Sequence, residues 1–155
     1  MIFCTIGTQS PFDRFIKIVD EIAAESDEEF VAQILGGAYE PKNIKTVGLL
    51  SPDGYKELCR KARIIVAHAG IGTIISALQL HKPIVVFPRI AKLGEHRNEH
   101  QTATAEMFDK MGLIYKATDK KTLEKFLLQK DLPPLKEIGN FASNQLINEV
   151  RSIIR

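Results

Sequence analysis

Tryptophan is absent from this chain of 155 residues, and phenylalanine and tyrosine together supply only 7% of it. Few aromatic platforms, with lysine and arginine at 21 against aspartate and glutamate at 19, argue against a nucleic-acid binder, which usually carries a basic stripe. Cysteine occurs twice, as Cys4 and Cys59, without CxxC or metal-type spacing. That excludes a disulfide framework and predicts reduced thiols in the cytoplasm. No apolar run approaches the roughly 20 residues needed to span a bilayer, and the opening Met1–Ile6 has no basic leader before its apolar residues. No Gly-Lys-Ser/Thr occurs, so a P-loop is excluded.

What the chain does have is 45% hydrophobic residues, enough for one real core, and a length near one domain. Short apolar, β-branched runs alternate with amphipathic patterns. Strands are expected at Ile2–Ile6, Phe30–Leu35, Ile44–Leu49, Arg63–Ala67, Pro83–Phe87 and Leu113–Lys116. Phe12, Phe15, Ile16, Val19, Ile22 and Ala23 share one helical face. Ser51-Pro52-Asp53 marks a second helix start. Further helices are expected from the Gly70 region to about His81, over Asn98–Met111 and Asp119–Leu128, and at about 137–154. This order predicts a single α/β domain over residues 1–155, a Rossmann-like parallel sheet with helices on both faces. Ligands of such sheets bind beyond the carboxyl ends of the strands, where Gly7-Thr8-Gln9, Gly36-Gly37, His68–Thr73 and Arg89–Gln101 converge.

His68-Ala69-Gly70-Ile71-Gly72-Thr73 is the most informative stretch. Two glycines between a buried strand and a helix admit a ligand close to the backbone, and free N–H groups at a helix start attract phosphate. A tight turn alone also explains glycines here. Ile75 stands where a nicotinamide fingerprint has its third glycine, which disfavours that cofactor. His96-Arg97-Asn98-Glu99-His100 satisfies the inverted zinc-peptidase pattern, provided that a regular helix runs from His96 and a third ligand follows. A solvated helix start is a reasonable account of Arg97 and Asn98 and a less comfortable one for His100-Gln101. His81 reads as a cation at a helix end, and Gln33 as a strand polar group paired with backbone.

Taken together, MIFCTIGT, FVAQILGG, the run from Arg60 to Arg89, and GEHRNEHQTATAEMF resemble the C-terminal domain of family 28 glycosyltransferases. Small stand-alone members are the most similar, among them the soluble subunit of the dolichol-linked UDP-GlcNAc transferase and bacterial counterparts in exopolysaccharide and capsule synthesis. The resemblance implies the C-terminal, donor-binding half of a GT-B fold. It implies a two-component inverting enzyme that moves a hexose or N-acetylhexosamine from a UDP-sugar to a polyprenyl-linked acceptor. The other half would be a membrane-anchored acceptor-binding subunit that recruits this chain to the cytoplasmic face of the membrane. A homodimer completing its own cleft is a further option.

By position, the resemblance implies that Gly70, Ile71, Gly72 and Thr73 hold the UDP diphosphate, with His68 bordering it and Gly7, Thr8 and Gln9 nearby. It places Leu50–Asp53 at the uracil edge, Glu95, His100 and Gln101 at the donor sugar, and Arg89 and Asn98 behind them. Ser76 stands where some members carry a ribose-binding carboxylate. No cofactor or metal is implied, and the catalytic base is expected on the partner. The amphipathic tail (Ile138, Phe141, Leu146, Ile147, Val150, Ile153, Ile154) either docks on that partner or packs back on its own sheet. A nucleotide-binding module without turnover and a zinc hydrolase using His96 and His100 are the alternative readings.

Overall fold

The computed structural model describes residues 1–133, 135–139 and 143–154, without the side chains of residues 145, 153 and 154. Six strands form one sheet: β1 (Ile2–Thr5), β2 (Phe30–Gln33), β3 (Lys45–Val47), β4 (Ile64–Ala67), β5 (Ile84–Val86) and β6 (Tyr115–Lys116). Their order is β3-β2-β1-β4-β5-β6, and every pairing is parallel. Helices α1 (Asp13–Ala23), α2 (Pro52–Lys61), α3 (Ile71–Gln79), α4 (His100–Lys110) and α5 (Lys120–Leu128) follow β1, β3, β4, β5 and β6, while β2 runs to β3 without a helix, and α6 (Asn144–Ile154) closes the chain. The expected Rossmann-like architecture is the one found.

Side chains alternate across the strands, so each strand feeds two cores. Ile2, Cys4, Ile64 and Val66 join Phe12, Phe15, Val19 and Ile22 of the α1 side and Leu123 and Leu127 of α5. Phe3, Ile65 and Ala67 face the other way, onto Cys59, Ile74, Ala77, Phe108 and Leu146. The inner strands are apolar throughout because both of their faces are covered.

Local chemistry sets the helix ends. Ser51 accepts the Gly54 N–H at 3.1 Å and Pro52 opens α2, as its sequence predicts. Asp119 caps α5 through the Thr122 N–H at 2.8 Å. Helix α3 stops at Gln79, two residues short of the expected end. His81 lies beyond it in the left-handed region at φ 52°, where its N–H and that of Lys82 reach back to the carbonyls of Leu78 and Ala77.

Every expected strand shortens by at least one residue, β6 to Tyr115–Lys116, and several helices shorten too. β2 ends at Gln33 rather than Leu35, β3 is only Lys45–Val47, and α4 starts at His100 rather than Asn98. The helix expected at about 137–154 begins at Asn144. Gly139 precedes it without helical structure, and Ser143 starts it by accepting the Leu146 N–H on its hydroxyl. Of the tail residues, Leu146 is buried and Ile138 and Val150 pack against the same core, so the described part of the tail lies on its own chain. Phe141 and the side chains of Ile153 and Ile154 are outside the described residues.

Candidate functional site

β1 and β4 are neighbours from which the chain winds in opposite directions, so a crevice opens beyond their carboxyl ends. An open cleft of about 820 Å³ occupies it. Gly7, Thr8 and Gln9 line it from the β1 loop, and His68 to Thr73 from the β4–α3 loop. His96, His100 and Gln101 line it from the α4 side, and Leu50 and Pro52 from the α2 side.

The floor is a helix start. Gly70 stands in extended conformation before α3, and Ile74 is the first residue to close a helical bond, at 3.1 Å to the Gly70 carbonyl. The N–H groups of Ile71, Gly72 and Thr73 precede that bond and belong to the open end of the helix dipole. No acidic residue sits in this first turn. A Cβ added at Gly72 would meet nothing within 4 Å, so the protein itself does not require glycine there.

His68 is wedged between two glycines. A side chain at Gly7 would strike its ring at 2.7 Å, and one at Gly70 would collide with its Nε2. The Nδ1 atom is buried without a hydrogen-bond partner. Burial, and secondarily the Arg89 charge, lowers the imidazole to about pKa 4, so it is neutral near pH 7. Beside it, Thr5 donates its hydroxyl to Gln33 Oε1 at 2.7 Å and accepts the Gly7 N–H at 3.3 Å. Gln33 therefore pairs with a side chain rather than with backbone.

Gln101 is buried in the wall. Its Oε1 accepts the N–H groups of Ala69 at 3.2 Å and Arg89 at 3.0 Å, which ties the β4 and β5 loops to α4. Three expected site residues lie off the cleft. Arg89 donates to the carbonyls of Ile6, Ser10 and Pro11 at 2.7–3.0 Å and covers the Phe12 ring. Glu95 pairs with Arg14 through both carboxylate oxygens at 2.6 and 2.8 Å. Burial pushes its carboxyl up, but Arg14, the Ile90 N–H and Arg89 outweigh that and hold it below the usual range. Asn98 accepts the His100 N–H at 3.1 Å and so serves the start of α4.

The zinc pattern loses its geometric premise. His96 precedes the helix and His100 begins it, so the two rings do not share a regular helical face. The His96 Nδ1 lies against Asn98, and no group of three metal-type side chains occurs among the described residues. The structure also adds residues that the sequence reading passed over. Tyr55, Lys56, Gln79 and Thr104 line the cleft alongside Ser76. The one available signal was their position on helices that start at the same sheet edge.

Residues 1–155 match the glycosyltransferase family 28 C-terminal domain. The chain belongs to that family. The human UDP-N-acetylglucosamine transferase subunit ALG13 is 28% identical over 128 residues, which cover 76% of this chain and 11% of the human protein. Its counterpart from Eremothecium gossypii is 26% identical over 110 residues, covering 70% of this chain and 52% of that one. The chain thus spans about half or less of the length of these curated relatives. Among solved structures, an NMR structure of ALG13 superposes with a TM-score of 0.60 at 17% identity, covering 96% of this chain and 93% of that one. The glycotransferase of kitacinnamycin does so at 0.62 and 18% identity, covering 98% of this chain but 37% of the enzyme. This family-28 domain has the fold of one half of a GT-B glycosyltransferase.

Proposed function

We propose that this chain is the donor-binding subunit of a two-component inverting glycosyltransferase that uses a UDP-sugar. The observation that carries the reading is the cleft itself. It is built on the open end of α3, and among the described residues no aspartate or glutamate lines it. Such a surface receives a diphosphate by backbone N–H donors and excludes a competing carboxylate. It also offers no carboxylate to a divalent ion, which supports diphosphate binding without a metal.

In the reaction, the bond between the anomeric carbon and the diphosphate oxygen breaks as the acceptor hydroxyl oxygen bonds to that carbon. Negative charge then grows on the departing diphosphate. The N–H groups of Ile71, Gly72 and Thr73 and the Thr73 hydroxyl are placed to stabilise it without reorganising. His68 borders the same site as a neutral imidazole. The acceptor proton goes to a base, which we place on an acceptor-binding partner at the membrane; the acceptor itself is polyprenyl-linked. The donor sugar, a hexose or N-acetylhexosamine, faces His96, His100 and Gln101.

Calorimetric titration with UDP and a panel of UDP-sugars, with and without EDTA, tests this reading. UDP binding that is indifferent to EDTA is expected. Absence of uridine nucleotide binding contradicts the donor site, and loss of binding with EDTA contradicts metal independence.

A further inference from the structure

Arg14 has no place in the cleft, yet it is built into the structure more firmly than a surface arginine. Its guanidinium lies 4.7 Å above the Phe87 ring and 5.5 Å from that of Phe12. It grips Glu95 through two parallel hydrogen bonds and also reaches the Pro88 carbonyl at 3.3 Å. The Glu95 side chain is 13% exposed, and its Oε2 accepts the Ile90 N–H at 2.8 Å. One carboxylate therefore closes the Ile90–Glu95 loop on itself and fastens it to the first turn of α1.

That loop needs fastening. It carries a single 3-10 turn, Ala91–Leu93, followed by Gly94 in the left-handed region at φ 72°. Leu93 and Gly94 are exposed and supply no burial of their own. Directly after Glu95 come His96 and then His100 and Gln101, all lining the cleft. Arg89, 4.4 Å from the Phe12 ring centre, binds the β1 loop that carries Gly7, Thr8 and Gln9. Arg89 also reaches the Glu95 carbonyl at 3.4 Å, so both arginines hold the cleft walls around one aromatic cluster.

We propose that Arg14 is a positioning residue for the donor-sugar side of the cleft and acts through Glu95 without touching the ligand. The proposal rests on the donor-site reading above. It gives Glu95 a different role from a direct contact with sugar hydroxyls. A contact residue would act independently of Arg14. A shared staple makes the two substitutions non-additive, because removing either partner breaks the same link, although Glu95 alone also holds the Ile90 N–H.

The test is a double-mutant cycle with Arg14→Ala, Glu95→Ala and the pair, read by affinity for UDP-N-acetylglucosamine and UDP on variants shown by thermal melting to be folded. Glu95→Ala lowers UDP-N-acetylglucosamine affinity about tenfold, Arg14→Ala somewhat less, and the double no further than Glu95→Ala. UDP, held mainly at α3, weakens less than about threefold. Glu95→Gln keeps one acceptor oxygen, recovers part of the loss, and serves if an alanine variant does not fold. In the free protein, amide exchange at Ile90 speeds up in each variant. A folded Arg14→Ala protein with unchanged sugar-nucleotide affinity overturns the proposal, as does a double variant with the product of two independent losses. Unchanged exchange at Ile90 beside normal UDP binding removes the staple alone. A wild type that binds no uridine nucleotide removes the donor reading, and the positioning role with it.

Discussion

Gly72 and Thr73 separate what the fold needs from what a ligand needs. The space beyond the Gly72 Cα is empty and its φ lies outside the left-handed region, so Gly72→Ala should fold with unchanged or slightly raised stability. In the proposed donor site, the added methyl obstructs the diphosphate's approach to the backbone, and UDP affinity should fall at least tenfold. Thr73→Val should weaken UDP by about 1–3 kcal/mol, the value of one hydrogen bond to a charged group. Calorimetry on melted-and-checked variants reads both. Normal affinity in Gly72→Ala would move the phosphates elsewhere. His68 makes a pH prediction. Its folded-state pKa, about 4, lies below the unfolded value of about 6.5. As pH falls through this window the unfolded chain takes the proton first. The His68 contribution is therefore complete above about pH 6.5 and lost toward pH 4, by up to about 3 kcal/mol. Urea titrations at pH 7 and 5 check it, and His68→Asn should flatten that part of the profile.

The same scale shows where sequence reading stops. The glycines and Thr73 are legible because a short side chain acts at its own backbone position. Arg89, Glu95 and Asn98 are not, because a long or forked side chain can reach several partners. Arg89 turns to four carbonyls, Glu95 to Arg14, and Asn98 to the His100 N–H. Nothing in their spacing distinguishes those partners from a ligand.

Elements were most legible where burial leaves one option. Ile64–Ala67 and Ile84–Val86 are covered on both faces, and their unbroken apolar runs show it. β3 is harder, since Lys45 and Thr46 of this edge strand are exposed and its pattern carries little periodicity. The start of α4 is set by the Asn98 side chain rather than by apolar spacing, which the zinc pattern could not reveal. At the other end of α3, His81 occupies a conformation that favours glycine. His81→Gly should raise stability by about 0.5–1 kcal/mol in denaturant titration, with UDP binding untouched. A loss of stability would mean that the imidazole makes a compensating interaction.

On the scale of the whole molecule, the winding order decides where chemistry happens. Reversal between β1 and β4 brings loops from residues 7, 68 and 96 to one rim, and that convergence follows from the alternation of strands and helices alone. Among the described residues, no helix is long and apolar enough to cross a membrane. The tail is the point that pattern could not decide. Docking on a partner and packing on α4 demand the same apolar stripe, and the structure buries Leu146 on its own core.

The central claim is that the diphosphate rests on the first turn of α3. Amide chemical-shift mapping during a UDP titration tests it most directly. The account predicts the largest shifts at Ile71, Gly72 and Thr73, with smaller ones at Gly7 and Ala69, unchanged by EDTA. Saturable binding that leaves these amides in place and moves those of another surface would contradict it.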